Sequence, residues 1–219
     1  MKFDFENYYI KKCDSDKNSF EKCISNTSDD FYFKKFDFEQ SFRFSVDKML
    51  AFLAKKLRIL GFDTYLRNDD HDLSYFIQKS ILEKRFIISS SYKLLTTFCN
   101  TKRYKFYFNK VIFINSELID SKLVGSELNL KDRDFIVSLI SYIFSFLFKF
   151  YNLDKIYYKD LINFINQNKL SRCLICNKKV IKKDNNFYYC IECDKLYWEG
   201  CHHKNINNFI NSVITKFRY

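Results

Sequence analysis

Residues 42–66 read FRFSVDKMLAFLAKKLRILGFDTYL. The first five alternate and suit a short strand ending before Asp47. Met49, Leu50, Leu53, Leu57 and Leu60 then recur at helical spacing, with Lys55, Lys56 and Arg58 assigned to the opposite face. Gly61 stands where a helix C-cap favours a residue free to adopt positive φ. The segment FDTYLR, 62–67, reads as a second strand.

The same alternation of elements continues outward. NDDHD (68–72) forms a turn and helix start, and LSYFIQKSILEK (73–84) is an amphipathic helix. RFIIS (85–89) is a compact apolar strand, SSYKLLTTF (90–98) opens another helix, and VIFIN (111–115) is a fourth strand. The order βαβαβαβ with short apolar strands predicts an α/β fold with a parallel sheet covered by helices on both faces. Right-handed crossovers bring all strand carboxyl ends to one edge, where sites of open α/β sheets lie. Residues 131–170 read as helical. Within them the apolar run FIVSLISYIFSFLFKFY (135–151) is at the lower limit for a membrane span and contains Lys149, so a buried helix is expected and no membrane partner.

Composition sets the wider limits. The 219 residues include 26 Phe and 16 Tyr, which is ample core material and argues against global disorder. The absence of Pro and the presence of only three Gly point to a skewed genome composition. A net charge of +11 favours a polyanionic partner, for which nucleic acid is the usual case. Eight cysteines follow an N-terminus, MKFDFENYYI, that lacks the pattern of a signal peptide. Metal-bound thiolates in a reducing intracellular compartment, the cytoplasm, are therefore expected. Residues 1–43, with the isolated Cys13 and Cys23, show no sustained period and read as an irregular extension.

Cys173, Cys176, Cys190 and Cys193 form two C-x₂-C knuckles separated by thirteen residues. A two-residue gap lets both thiolates of a knuckle face one ion, and two knuckles complete the S₄ tetrahedron that zinc favours. The intervening NKKVIKKDNNFYY alternates around an Asn-Asn turn and predicts a β-hairpin. Four sulfur ligands leave no position for water, so the site is expected to be structural. Cys201, His202 and His203 follow closely, and a swap of Cys193 for His202 stays open. Trp198 is expected to pack the ribbon against the α/β domain, with base stacking as the alternative. His202 is expected to hydrogen-bond within the ribbon, and His71 to be solvated.

Asp47 follows the first strand, and Asp69, Asp70 and Asp72 follow the second. Carboxylates converging at one sheet edge are what a Mg²⁺ or Mn²⁺ nuclease needs, since the ion takes oxygen ligands and activates water. On pattern alone, helix capping by Asp47 and Asp69 is the stronger reading.

The string from Val46 to Asp72 resembles the opening of the PIN-like ribonuclease domain found at the C-terminus of the Mut-seven exonuclease and in stand-alone microbial proteins. The matching residues are Asp47, Met49 and Leu50, then Leu53, Ala54, Leu57, Arg58, Leu60 and Gly61, then Phe62, Asp63 and Thr64, and finally Asp69 and Asp72. The same family ends in a ribbon matched here by Arg172, Cys173, Cys176 and Asn177, and later by Tyr197, Trp198, Gly200, Cys201 and His202. The resemblance covers roughly residues 42–205. It implies a PIN-like fold, RNA as partner and RNA phosphodiester hydrolysis, with Asp47 and Asp72 as Mg or Mn ligands and Asp69 assisting. Where the family has Thr-Arg-Asp after the third strand, this chain has Ser89, Ser90 and Ser91, which removes one acid from the pocket. Glu117 and Asp120 are candidates to replace it. The alternative is a catalytically inactive module that binds RNA or serves a ribonucleoprotein assembly. The expected organisation is an extension (1–43), a PIN-like domain (44–170), a zinc ribbon (171–205) and a C-terminal helix or tail (206–219).

Overall fold

The structure is a computed structural model that describes residues 36–114, 130–184, 187–198 and 200–217, with the backbone alone at 130–132, 184 and 201–203. Expectations for residues 1–35, for Glu117 and Asp120, for the Asn185-Asn186 turn and for the side chains of Cys201, His202 and His203 lie outside it. All elements below belong to the compact unit Asp37–Tyr219.

A short helix α1 (Phe38–Ser41) leads into β1 (Phe44–Val46). One 3₁₀ turn, Lys48–Leu50, precedes α2 (Ala51–Ile59), and β2 is Thr64–Leu66. There follow α3 (Leu73–Leu82), β3 (Phe86–Ser89), α4 (Tyr92–Asn100), α5 (Lys102–Lys105) and β4 (Val111–Phe113). The four strands pair in parallel in the order β2-β1-β3-β4, so the parallel sheet read from the sequence is present. Strand order reverses between β1 and β3, and the crevice beyond their carboxyl ends is the topological switch point.

Each face of the sheet has its own apolar layer. Phe76, Ile77, Ile87, Leu94, Phe98, Tyr104, Tyr107 and Val111 cluster with α3, α4 and α5. Elsewhere in the core, Phe42, Phe62 and Phe144 stack or tilt on one another with ring centroids 5.2–6.2 Å apart. Phe86, on the same strand as Ile87, meets Phe150 at 5.0 Å. Strand β3 is buried throughout, and its neighbours Phe86 and Ile87 pack into different clusters, as its uninterrupted apolar run requires.

Phe144 and Phe150 lie on α6 (Leu130–Phe150), which carries the apolar run. α7 (Tyr157–Asn168) follows it, and α8 (Cys201–Lys216) packs along α6. Arg133 donates to Ser212 Oγ at 2.7 Å, Lys216 donates to Ser138 Oγ at 3.2 Å, and the Phe144 ring meets Phe217 at 5.3 Å. The expected burial of this helix is therefore found, and no helix among the described residues is long and apolar enough to cross a membrane.

Between α7 and α8 lies a three-stranded antiparallel sheet, β5 (Ile181–Asp184), β6 (Phe187–Cys190) and β7 (Lys195–Trp198). The hairpin expected between the knuckles is β5–β6, with a register shift between Lys182 and Asp184.

Two residues of the segment 48–59 differ from the amphipathic reading. The 3₁₀ turn shifts the helical phase, so Leu50, Leu53, Ala54 and Leu57 form the buried stripe while Met49 is 66% exposed. Arg58, assigned to the polar face, is 2% exposed because it falls on that stripe, four residues after Ala54.

Candidate functional site: a thiolate cluster and an acidic sheet edge

The four knuckle sulfurs lie within 4.8 Å of one another, and Cys176 Sγ is 3.4 Å from Cys190 Sγ. Four thiolates bound tetrahedrally at about 2.3 Å sit about 3.8 Å apart, so the cluster fits one ion with little movement. Among the described residues no other three His, Cys, Asp or Glu side chains gather this closely.

The backbone builds the first knuckle. The amides of Ile175 and Cys176 point at Cys173 Sγ at 3.4 and 3.5 Å, and the Tyr197 hydroxyl lies 3.1 Å from it. Burial pushes the Cys173 thiol up, but these donors outweigh it and hold the group down to about 6. Burial raises the Cys176 thiol. Asn177 (φ 71) and Asp194 (φ 50) each follow the second cysteine of a knuckle. The chain turns there through the left-handed region, which Asn and Asp tolerate best after Gly.

Three polar side chains tie the ribbon to the sheet. Arg58 donates to Thr64 O twice, at 3.0 and 2.8 Å, and to Leu174 O and Ile175 O at 2.7 and 2.9 Å. Arg172 donates to Gly61 O and Asn177 O, at 3.1 and 3.2 Å. Asn177 accepts from Thr64 N at 2.9 Å and donates to Asp63 at 2.6 Å. Asp63 also accepts from Arg85 at 2.7 and 3.0 Å and from Arg43 at 3.1 Å. Its burial alone would raise the carboxyl, but Arg85, Asn177 and Arg172 hold it at about 2. The sequence reading matched Asp63, Arg172 and Asn177 without assigning them this docking role, because their partners lie more than a hundred residues away along the chain.

Trp198 does not pack inward as expected. Its indole folds against Gly200, where an added Cβ would meet Nε1 at 2.7 Å, and it stays 65% exposed. The inward role falls to Tyr197, the preceding residue on the alternating strand.

At the carboxyl edge of the parallel sheet, Asp47 is 2% exposed. Its Oδ2 accepts from Ser89 Oγ at 2.8 Å, and its Oδ1 accepts from Lys48 N at 2.8 Å and Arg67 at 3.4 Å. Asp69 is exposed and ion-paired with Lys48. Asp72 is exposed and caps α3, accepting from Tyr75 N at 2.6 Å. Helix capping thus falls to Asp72 and Asp47 rather than to Asp69. The three acids share the edge but form no tight cluster. Ser91 caps α4, so Ser89 is the residue of the serine run that faces Asp47. His71 is stacked on Tyr75 at 4.2 Å and is only partly solvated.

A four-stranded parallel α/β sheet with its ribbon docked beside the first crossover defines the class. The family profile described as Mut7-C RNAse domain matches residues 42–210, and the chain belongs to that family. Comparison with the curated proteins and with the solved structures gave no match.

Proposed function

We propose that this chain acts on RNA as a metal-dependent ribonuclease, with phosphodiester hydrolysis centred on Asp47. The observation that carries the reading is the Asp47 carboxylate, buried at the carboxyl end of β1 where strand order reverses. Membership of a ribonuclease family and the +11 charge support RNA as the partner. Asp47 and Asp72 are assigned as ligands of Mg²⁺ or Mn²⁺, with Asp69 assisting. Such an ion, when bound, supplies an activated water and neutralises phosphate charge. Arg67, beside Asp47, keeps the buried carboxylate compensated and presents a guanidinium to a phosphate oxygen. The four cysteines are assigned to structural zinc, and the protein to the cytoplasm.

A second reading is favoured by one observation. After β3 the edge offers serine hydroxyls where a carboxylate would bind a hard dication better: Ser89 Oγ meets Asp47, and Ser91, two residues on, caps α4. The chain would then bind RNA, or join a ribonucleoprotein, without cleaving. Ser91→Asp separates the two, because Asp caps α4 as well as Ser does and so preserves the fold. Under the first reading it strengthens Mn²⁺ binding by about tenfold in calorimetry and speeds RNA cleavage, and Asp72→Asn removes the gain. If Ser91→Asp, Asp47→Asn and Asp72→Asn all leave Mn²⁺ binding and cleavage unchanged, hydrolysis at this edge is wrong.

A further inference from the structure

The ribbon has two unlike faces. Tyr197 and Cys190 turn toward the thiolate cluster. On the other face, β6 and β7 place Phe187 opposite Trp198 and Tyr189 opposite Leu196, with Ile181 opposite Tyr189 across β5. Phe187 is 39% exposed, Leu196 41%, Ile181 53% and Trp198 65%. Neither Phe187 nor Trp198 has a ring partner among the described residues. The Trp198 indole lies beside Gly200, where an added Cβ would meet it, and most of the side chain is open to solvent.

The rim is basic. Lys183 Nζ stands 5.7 Å over the Tyr189 ring, on the aromatic face. Lys183 is exposed and has no acidic partner among the described residues, whereas Lys182 and Lys195, opposite Tyr188 and Cys190, stand on the cluster side of the sheet. Of the described carboxylates here, Glu192 lies against Lys178 at 3.9 Å and Asp194 accepts from the Tyr189 hydroxyl at 2.6 Å.

We propose that this outward face is a base-stacking platform for single-stranded RNA, carried by Trp198, Phe187 and Tyr189 with Lys183 at its rim. Residues i and i+2 of a strand stand about 7 Å apart on one face, a step that the bases of an extended strand can follow. Stacking tolerates any base, because every base has a π-face, and the unpaired Lys183 ammonium meets a phosphate. Duplex RNA hides its base faces and does not fit. The inference rests on RNA being the partner and adds where the strand is held, on the ribbon and apart from Asp47.

Trp198 is the single tryptophan of the chain, so its emission reports this face alone. The test titrates the zinc-loaded full chain, without added Mg²⁺ or Mn²⁺, with a short mixed-sequence single-stranded RNA. Saturable quenching is expected, and none with the same RNA annealed to its complement. Trp198→Ala and Phe187→Ala each weaken binding on the order of tenfold by anisotropy of labelled RNA, and Trp198→Phe recovers most of the loss. Zinc content and melting temperature show that the variants remain folded, as the exposure of both rings allows. RNA that binds with unchanged emission, and equally well to both alanine variants, overturns the platform and leaves the RNA reading standing. A wild-type chain that binds no RNA overturns both.

Discussion

Arg58→Met tests how the ribbon is held. The guanidinium makes four hydrogen bonds, 2.7–3.0 Å long, to the carbonyls of Thr64, Leu174 and Ile175. Burial lowers its pKa, while the Cys173 and Cys176 thiolates oppose the shift, so the cation also offsets the charge of the thiolate cluster. Met fills the methylene space but leaves three acceptors without their donor. Thr64 is fully buried, and a dry, unpaired carbonyl costs roughly 1–3 kcal/mol. Leu174 and Ile175 are less buried and rehydrate in part, and relief from burying a cation recovers some of the loss. The net cost works out at about 3 kcal/mol. Loss of a group that orients metal ligands lowers metal affinity by roughly 10–100-fold. Urea unfolding at neutral pH gives the first quantity, and zinc release to a chromogenic chelator gives the second. Arg58→Lys should fall between, since it keeps the charge and loses the planar fork. If Arg58→Met stays within about 0.5 kcal/mol of wild type, as exposed substitutions do, and releases zinc no faster, the bracket contributes nothing.

Elemental analysis should find one zinc per chain, lost when Cys176→Ser and Cys190→Ser are combined, with the parallel sheet keeping its circular dichroism. Asp63→Asn should lower stability at pH 7 by about 2 kcal/mol, because the folded carboxyl is held at about 2 against an ordinary 3.8. The sign follows from a lowered folded pKa: the stabilisation is present above 3.8 and fades as pH falls toward 2, so the difference between wild type and Asp63→Asn should shrink there. Phe144→Ala, at a fully buried ring touching Phe42, Phe62 and Phe217, should cost roughly 3–5 kcal/mol in the same assay.

Much of this was readable locally. The strands are short apolar runs, and the thiolate cluster follows from two knuckles whose ligands lie close in sequence. What was not readable depended on distant partners. Arg58 looked solvated because its carbonyl acceptors at Leu174 and Ile175 are 116 and 117 residues away. Met49 was misplaced because an initial 3₁₀ turn changes the phase of the stripe. Trp198 reads from the sequence as packing inward, yet alternation along β7 gives that place to Tyr197. At the acidic edge, sequence located Asp47 but not its compensation, since Ser89 and Arg67 meet it only once β3 and β2 flank β1.

The return of α8 onto α6 also fixes an order of events. α6, the longest helix among the described residues, lacks part of its cover until the ribbon has been passed and α8 has been made. During synthesis the Phe144 neighbourhood therefore waits for a segment more than fifty residues downstream. A frameshift or stop within the ribbon would remove more than the thiolate cluster: it would leave an uncovered hydrophobic stripe, the kind of surface that chaperones hold and proteases clear.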